Sequence, residues 1–263
     1  METTPFSVLL SRMRLGEGES ELDVPEDWVQ GRTLFGGLQT VIALAAMRTL
    51  APPAPLRSMQ VTFLAPVPGG PVRAVARILR SGKNATHVEG RIVDGDNTLA
   101  TMVGVFGGPR PSAVNVRPVQ PAVTPANSID LPWIPGVTPN FTRHFKARWI
   151  VGGPPWSDIP RPDSVIELGM RDTGNATESH VVAMADFIPP VALSYLKTPV
   201  AAASLTWMLE LLPEDVASLP LDGWRIDAQM TAAHSGYINQ SLVLWGPGGI
   251  PVALGRQTMV VFG

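Results

Sequence analysis

An internal repeat with the character of β-strands is the feature that most constrains how this chain can fold. Residues 99–107 (LATMVGVFG) match residues 255–263 (GRQTMVVFG), and residues 60–65 (QVTFLA) stand where residues 206–211 (TWMLEL) stand in the second half. Such self-similarity indicates that one structural unit occurs more than once. A chain of 263 residues has room for two units of ordinary domain size. The sequence therefore predicts a duplication of one mainly β unit.

Each predicted unit combines one buried helix with a run of antiparallel strands. In the first half, residues 38–50 are apolar almost all round, after a Gly-Gly pair and before a Pro-Pro pair, which is typical of a buried helix. The predicted elements are strands at 72–79, 86–93 and 99–106, then in the second half a helix at 191–196 and strands at 202–211, 224–230, 236–245 and 252–262, with hairpins at 6–15/19–24 and 142–151/164–171. This pattern predicts an α+β fold, in which two curved antiparallel β-sheets each wrap a central helix.

Proline is concentrated between the two halves. Twelve of the 27 prolines fall between residues 109 and 162, where such a density prevents a helix or a central strand. We therefore predict an N-terminal unit at residues 1–108, a Pro-rich linker at 109–140 and a C-terminal unit at 141–263.

The charge balance excludes several classes of partner. With 20 Lys and Arg against 22 Asp and Glu, the net charge is −2 and no basic block is present, so we expect neither nucleic-acid nor membrane binding. Charged residues are only 16% of the chain and hydrophobic residues 45%, which favours burial of part of the surface in a homodimer or a higher homo-oligomer.

The chain has no cysteine, which excludes disulfides, cysteine-ligated zinc, iron–sulfur clusters and a cysteine nucleophile. The four histidines are scattered without the spacing of metal ligands, so we expect neither a metal nor a cofactor. The N-terminal sequence lacks a basic stretch followed by an apolar one, and the longest apolar span is about half of what a bilayer needs. We therefore expect a cytoplasmic protein.

Six short motifs, three in each half, are shared with one known family. They are GRTLFGG (31–37), MQVTFLAP (59–66) and RSGKN (80–84) in the first half, then MADFIPP (184–190), ASLTWM (203–208) and VALGRQ (252–257) in the second. In these motifs the chain resembles the acyl-CoA thioesterase II family. The resemblance implies a double hotdog fold, an acyl-CoA substrate, and hydrolysis to a free acid and coenzyme A, which enters only as part of the substrate.

The same resemblance implies a catalytic set of Asp186, Ser204 and Gln257. In the family, an Asp at the start of the second helix, a Thr on the next strand and a Gln on the last strand hold the hydrolytic water. Ser204 departs from the family pattern but keeps a hydroxyl group. An ionised carboxylate can accept a proton from water, and the hydroxyl and amide can aim that water at a thioester carbonyl.

The first half has no comparable set of side chains. Gly36, Ser58 and Thr101 stand roughly where the second half has its catalytic set, so the first half has neither the carboxylate nor the amide. We therefore predict one active site per chain.

Two other functions stay open on the sequence alone. A non-catalytic acyl-CoA-binding protein of the same fold would not need an exact water-holding set. A hotdog enoyl-CoA hydratase would need an Asp/His pair, which the fold could form by bringing His180 or His234 to Asp186.

Overall fold

Three α-helices and fifteen β-strands occur in the residues that the computed structural model describes, 3–212 and 215–262. The helices are α1 (Phe6–Ser11), α2 (Gly36–Arg48) and α3 (Glu178–Ala185). The strands of the first half are β1 (Arg14–Gly16), β2 (Glu19–Val24), β3 (Val29–Gln30), β4 (Thr33–Leu34), β5 (Leu56–Phe63), β6 (Gly70–Ser81), β7 (Thr86–Asp94) and β8 (Asn97–Phe106). The later strands are β9 (Ile129–Asp130), β10 (Phe145–Val151), β11 (Asp163–Met170), β12 (Ala201–Leu211), β13 (Trp224–His234), β14 (Tyr237–Gly246) and β15 (Ile250–Phe262).

Thirteen of these strands form one continuous antiparallel sheet. Its order is β1-β2-β6-β7-β8-β5-β12-β15-β14-β13-β11-β10-β9, so the two halves follow the same order outward from the β5–β12 pair. At this pair Val61 lies opposite Trp207, and the two residues also correspond in the sequence repeat. The prediction of two separate sheets is wrong, because β5 and β12 bond to each other and neither is left as an unpaired edge.

The two longer helices lie against each other and run in opposite directions. The first turn of α2 meets the end of α3, where an ideal Cβ added to Gly37 would lie 3.1 Å from the Cα of Ala183. At the other end, the guanidinium of Arg48 binds the carboxylate of Glu178 through Nε at 2.8 Å and through a second nitrogen. The predicted buried helix of the first half is confirmed, since α2 is buried along almost its whole length.

The second helix does not lie at its predicted position. Residues 191–196 were expected to hold it, but Val191–Tyr195 form only a 3₁₀ turn, and the α-helix of this half precedes Asp186. Two prolines before residue 191 prevent a helix from continuing through. The start of α3 is fixed by a capping box between Thr177 and His180.

The first predicted hairpin is also partly wrong. Residues 6–11 form α1 rather than a strand, and only the short β1 pairs with β2. Phe6 and Leu9, three positions apart on one helix face, are fully buried, and both the backbone N–H and the hydroxyl of Ser7 donate to Asp172 at 2.6 Å. The second hairpin is confirmed as β10 and β11.

Residues 107–128 contain no helix or strand, as expected of the Pro-rich segment, although β9 falls within the predicted linker and pairs with β10. The exact limits of the three predicted segments stay a prediction. Residues 1, 2 and 263 at their outer ends lie outside the described part of the chain.

Candidate active site

Asp186 follows the end of a helix. It caps the C-terminus of α3, so the prediction that it begins the second helix is wrong. The proposed equivalence of Gly36 and Asp186 fails for the same reason, because Gly36 is the first residue of α2. Since α2 and α3 are antiparallel, the two residues instead lie next to each other.

The Asp186 carboxylate nevertheless lies at a helix N-terminus, that of α2. The backbone N–H of Gly37 donates to this carboxylate. An ideal Cβ on Gly36 would be 2.7 Å from Asp186 Oδ2 and 3.2 Å from the ring of Phe63, so only a glycine leaves room for the carboxylate there. The positive end of a helix dipole favours a negative charge at this position.

A chain of buried amides continues from Asp186 into the sheet. Gln257 Nε2 donates to Asp186 Oδ1 at 2.9 Å, and Gln257 Oε1 accepts from Gln240 Nε2 at 3.0 Å. Gln240 Oε1 in turn accepts from the backbone N–H of Val191 at 2.9 Å. Both glutamines are only 1% exposed, so these bonds have no competition from bulk water.

The environment changes the acidity of Asp186. Burial raises its pKa to about 7, against the opposing effects of the hydrogen bonds from Gly37 and Gln257. Asp186 as a whole residue has intermediate solvent exposure. A carboxylic acid with this pKa is ionised and protonated in comparable amounts at neutral pH, which suits a group that both accepts and returns a proton.

Ser204 lies on the same face of the sheet as Gln257. It is paired with Met259, two residues beyond Gln257 on β15, and a β-bulge follows it in β12. Among the hydrogen bonds between described residues, none involves the Ser204 hydroxyl. Trp207 lies directly opposite Gln257, is 1% exposed, and its indole N–H has no partner among the described atoms.

Neither candidate histidine reaches Asp186. His180 bonds Asp172 at 3.4 Å and Thr177 at 2.8 Å, and His234 bonds the neighbouring Ser235 at 2.8 Å. The Asp/His pair that a hydratase would need is therefore not formed with Asp186.

Within residues 3–212 and 215–262, no group of three or more His, Asp or Glu side chains is arranged to hold a metal ion. No helix in the same ranges is long and apolar enough to cross a membrane.

The fold and this site define the chain as a hotdog protein of the thioesterase type, and sequence comparison gives the family. Residues 24–107 match the profile of the acyl-CoA thioesterase N-terminal domain, and residues 122–261 match that of the acyl-CoA thioesterase C-terminal domain. The chain belongs to the acyl-CoA thioesterase family. No curated protein matches its sequence at the significance required.

Solved structures agree on the fold. A hotdog-fold protein of unknown function from Alicyclobacillus acidocaldarius is 18% identical, with a TM-score of 0.83 over 95% of this chain and 96% of that one. A provisionally assigned thioesterase II from Thermobifida fusca is 17% identical, with a TM-score of 0.82 over 100% and 99%. An acyl-CoA thioesterase II from Mycobacterium marinum is 16% identical, with a TM-score of 0.71 over 95% of each chain.

Sequence reasoning missed three members of the site. The Gly-Gly pair that begins α2 was interpreted as a helix boundary and a family motif, and Gly36 as the counterpart of Asp186, whereas Gly37 bonds Asp186 and Gly36 makes room for it. Gln240 was not predicted as a site residue, because it stands beside Asn239 in an otherwise ordinary strand pattern. A glutamine at an inward-facing strand position is the one available signal, because a buried amide needs a partner.

Proposed function

We propose that this protein hydrolyses an acyl-CoA thioester to a free acid and coenzyme A, with Asp186 as the general base. The observation that carries the proposal is the position of its carboxyl group, with a pKa raised to about 7, between the N-terminus of α2 and the amide of Gln257. Membership of the acyl-CoA thioesterase family supports the same reaction class.

In the first step, a water molecule attacks the thioester carbonyl carbon and Asp186 accepts one of its protons. The Gln257 amide fixes the orientation of the carboxylate through its bond to Oδ1, which leaves Oδ2 on the side of Gly36. Ser204 has an uncommitted hydroxyl on the same sheet face, so it is the third group proposed to orient the water. Positioning of this kind lowers the entropic part of the barrier.

The developing oxyanion needs a donor, and the first turn of α2 offers one. The N–H groups of Leu38 and Gln39 both bond the Phe35 carbonyl, and the Gly37 N–H bonds Asp186. The Gly36 N–H has no acceptor among the described residues, so we assign it to the oxyanion. Removing one such donor typically costs about 2.7–4 kcal/mol of transition-state stabilisation.

In the second step, the tetrahedral intermediate collapses and the carbon–sulfur bond breaks. The sulfur leaves as the coenzyme A thiolate and receives the proton that Asp186 took from water. The carboxyl group thus returns to its ionised state, and the products are one free acid and one thiol. A pKa near neutrality allows both transfers without a second acid.

The finer architecture belongs to the same proposal. The symmetric strand order about the β5–β12 pair and the antiparallel α2 and α3 support two hotdog units, each wrapping one helix, joined by the linker at 109–140. We keep the predictions of a cytoplasmic homodimer or higher homo-oligomer that binds neither nucleic acid nor membranes. Sedimentation at micromolar concentration tests the oligomer, and a monomer there would contradict it.

The direct test is thiol release from a panel of acyl-CoA substrates, from short to long and including aromatic ones. Because the chain has no cysteine, a chromogenic thiol reagent detects only released coenzyme A. We expect release by the wild type and none by Asp186→Asn. Tight binding of acyl-CoA without release would instead favour the non-catalytic binding protein, and hydration of an enoyl-CoA would favour the hydratase.

A further inference from the structure

We infer that Gln240 is a positioning residue for the hydrolytic reaction, which it serves by fixing which end of the Gln257 amide faces Asp186. The inference rests on the proposed function and adds a residue that neither the motifs nor the family comparison points to. It follows from three consecutive hydrogen bonds between Val191, Gln240, Gln257 and Asp186.

The direction of these bonds is set at the Val191 end. A backbone N–H can only donate, so the Gln240 atom that faces Val191 must be its carbonyl oxygen. The amide nitrogen of Gln240 then points to Gln257 and requires an oxygen there. The Gln257 nitrogen is left to face Asp186, as the 2.9 Å bond shows.

The orientation matters because a glutamine amide is nearly symmetric in shape. If Gln257 turned over, its carbonyl oxygen would face the carboxylate, and two acceptors in contact would disfavour the ionised form that acts as base. The turned-over orientation of the Gln257 amide is unfavourable only while Gln240 offers its N–H group to the end of that amide opposite Asp186. Since Gln240 is 1% exposed, no bulk water can replace that donor.

Only a few groups influence the pKa of Asp186. Burial, the Gly37 N–H and the Gln257 amide set its pKa, and no described charged side chain adds to these three influences. Loss of the Gln257 bond therefore raises the pKa of Asp186, with no compensating ion pair.

The experiment compares Gln240→Met, Gln257→Met and the double variant by thiol release across pH and by carboxyl-carbon NMR titration of Asp186. For Gln240→Met we expect kcat to fall about tenfold to a hundredfold, the size expected for one lost hydrogen bond to a charged group, with KM little changed. The titration midpoint should rise by about one pH unit. In the Gln257→Met background, Gln240→Met should have no further effect on either quantity.

The matched control is Thr258→Val. Thr258 donates to Asn239 at 3.1 Å between the same two strands, β14 and β15, on the opposite face from Gln257. This variant should leave kcat and the titration midpoint unchanged. Should Gln240→Met fail to fold, Gln240→Asn keeps an amide that is one methylene too short to reach both partners, and the same shifts are expected.

Two results would overturn the inference: an unchanged Asp186 midpoint in the Gln240 variants, or effects of Gln240→Met and Gln257→Met that multiply independently. A shifted midpoint in a protein that releases no thiol would support only the orientation of the Gln257 amide by Gln240 and would refute the proposed hydrolysis, so the two proposals fail separately.

Discussion

Replacing Asp186 by Asn should stabilise the folded protein at alkaline pH while abolishing turnover. The pKa of Asp186 is about 7 in the folded protein and has an ordinary value of 3.8. Well below pH 3.8 the carboxyl group is protonated in both the folded and the unfolded state, so its ionisation does not affect the free energy of folding. As pH rises toward 7, Asp186 ionises in the unfolded chain before it ionises in the folded protein, so the free energy of folding becomes less favourable. Above pH 7 this loss of folding free energy has reached its full size. At about 1.4 kcal/mol per pH unit, it reaches about 4 kcal/mol.

Thermal unfolding of the wild type and Asp186→Asn at pH 5 and pH 8 measures this penalty. The stability advantage of the variant should be larger at pH 8 by about 2–3 kcal/mol, and each kcal/mol corresponds to a Tm shift of about 2–4 °C in a protein of about this size. Asp96→Asn, at an exposed position in the turn between β7 and β8, controls for the loss of one charge. An advantage that does not grow between pH 5 and pH 8 would refute the raised pKa.

Three other outcomes follow from the same geometry. The value of kcat/KM should rise about tenfold between pH 5 and pH 6 and level off above the Asp186 pKa of about 7, and a flat profile down to pH 5 would count against this base. Gly36→Ala should lower kcat strongly, because its methyl group would lie 2.7 Å from the carboxylate, whereas Gly16→Ala meets only ordinary contacts and should be silent in the same assay. Arg48→Met should leave the active site intact but lower the unfolding free energy by about 1–3 kcal/mol, because the half-buried Glu178 loses its ion-pair partner. An unchanged midpoint of denaturant unfolding would contradict this.

The sheet could be predicted well because its signals are local. Alternating apolar residues and Gly-rich turns located the long strands of both halves, and the repeat linked β5 to β12 and β8 to β15. The helix of the second half could not be located in the same way. Its eight residues, ESHVVAMA, are short and nearly uniform in burial, so no periodic pattern distinguishes them from a strand.

The site was predicted only in part, because most of its geometry depends on contacts between the halves. Family resemblance gave Asp186 and Gln257, which the structure brings into direct contact. It could not give the contact between Asp186 and Gly37, because Asp186 and Gly37 are 149 positions apart in the chain and belong to different halves. Ser204 has no side-chain bond among described residues, so its catalytic role stays a prediction.

Because α2 and α3 are antiparallel, the helix pair has two ends with different contacts. If two identical subunits each supplied one helix, their symmetry would make the two ends alike. At one end the start of α2 meets the carboxyl group of Asp186, and at the other end α2 is held by the ion pair of Arg48 and Glu178. In a symmetric dimer, every substitution that improved one end would alter both ends at once. In a single chain the two helices have different sequences, so the residues at each end can change independently. One end can then carry catalytic groups while the other stabilises the contact between the halves.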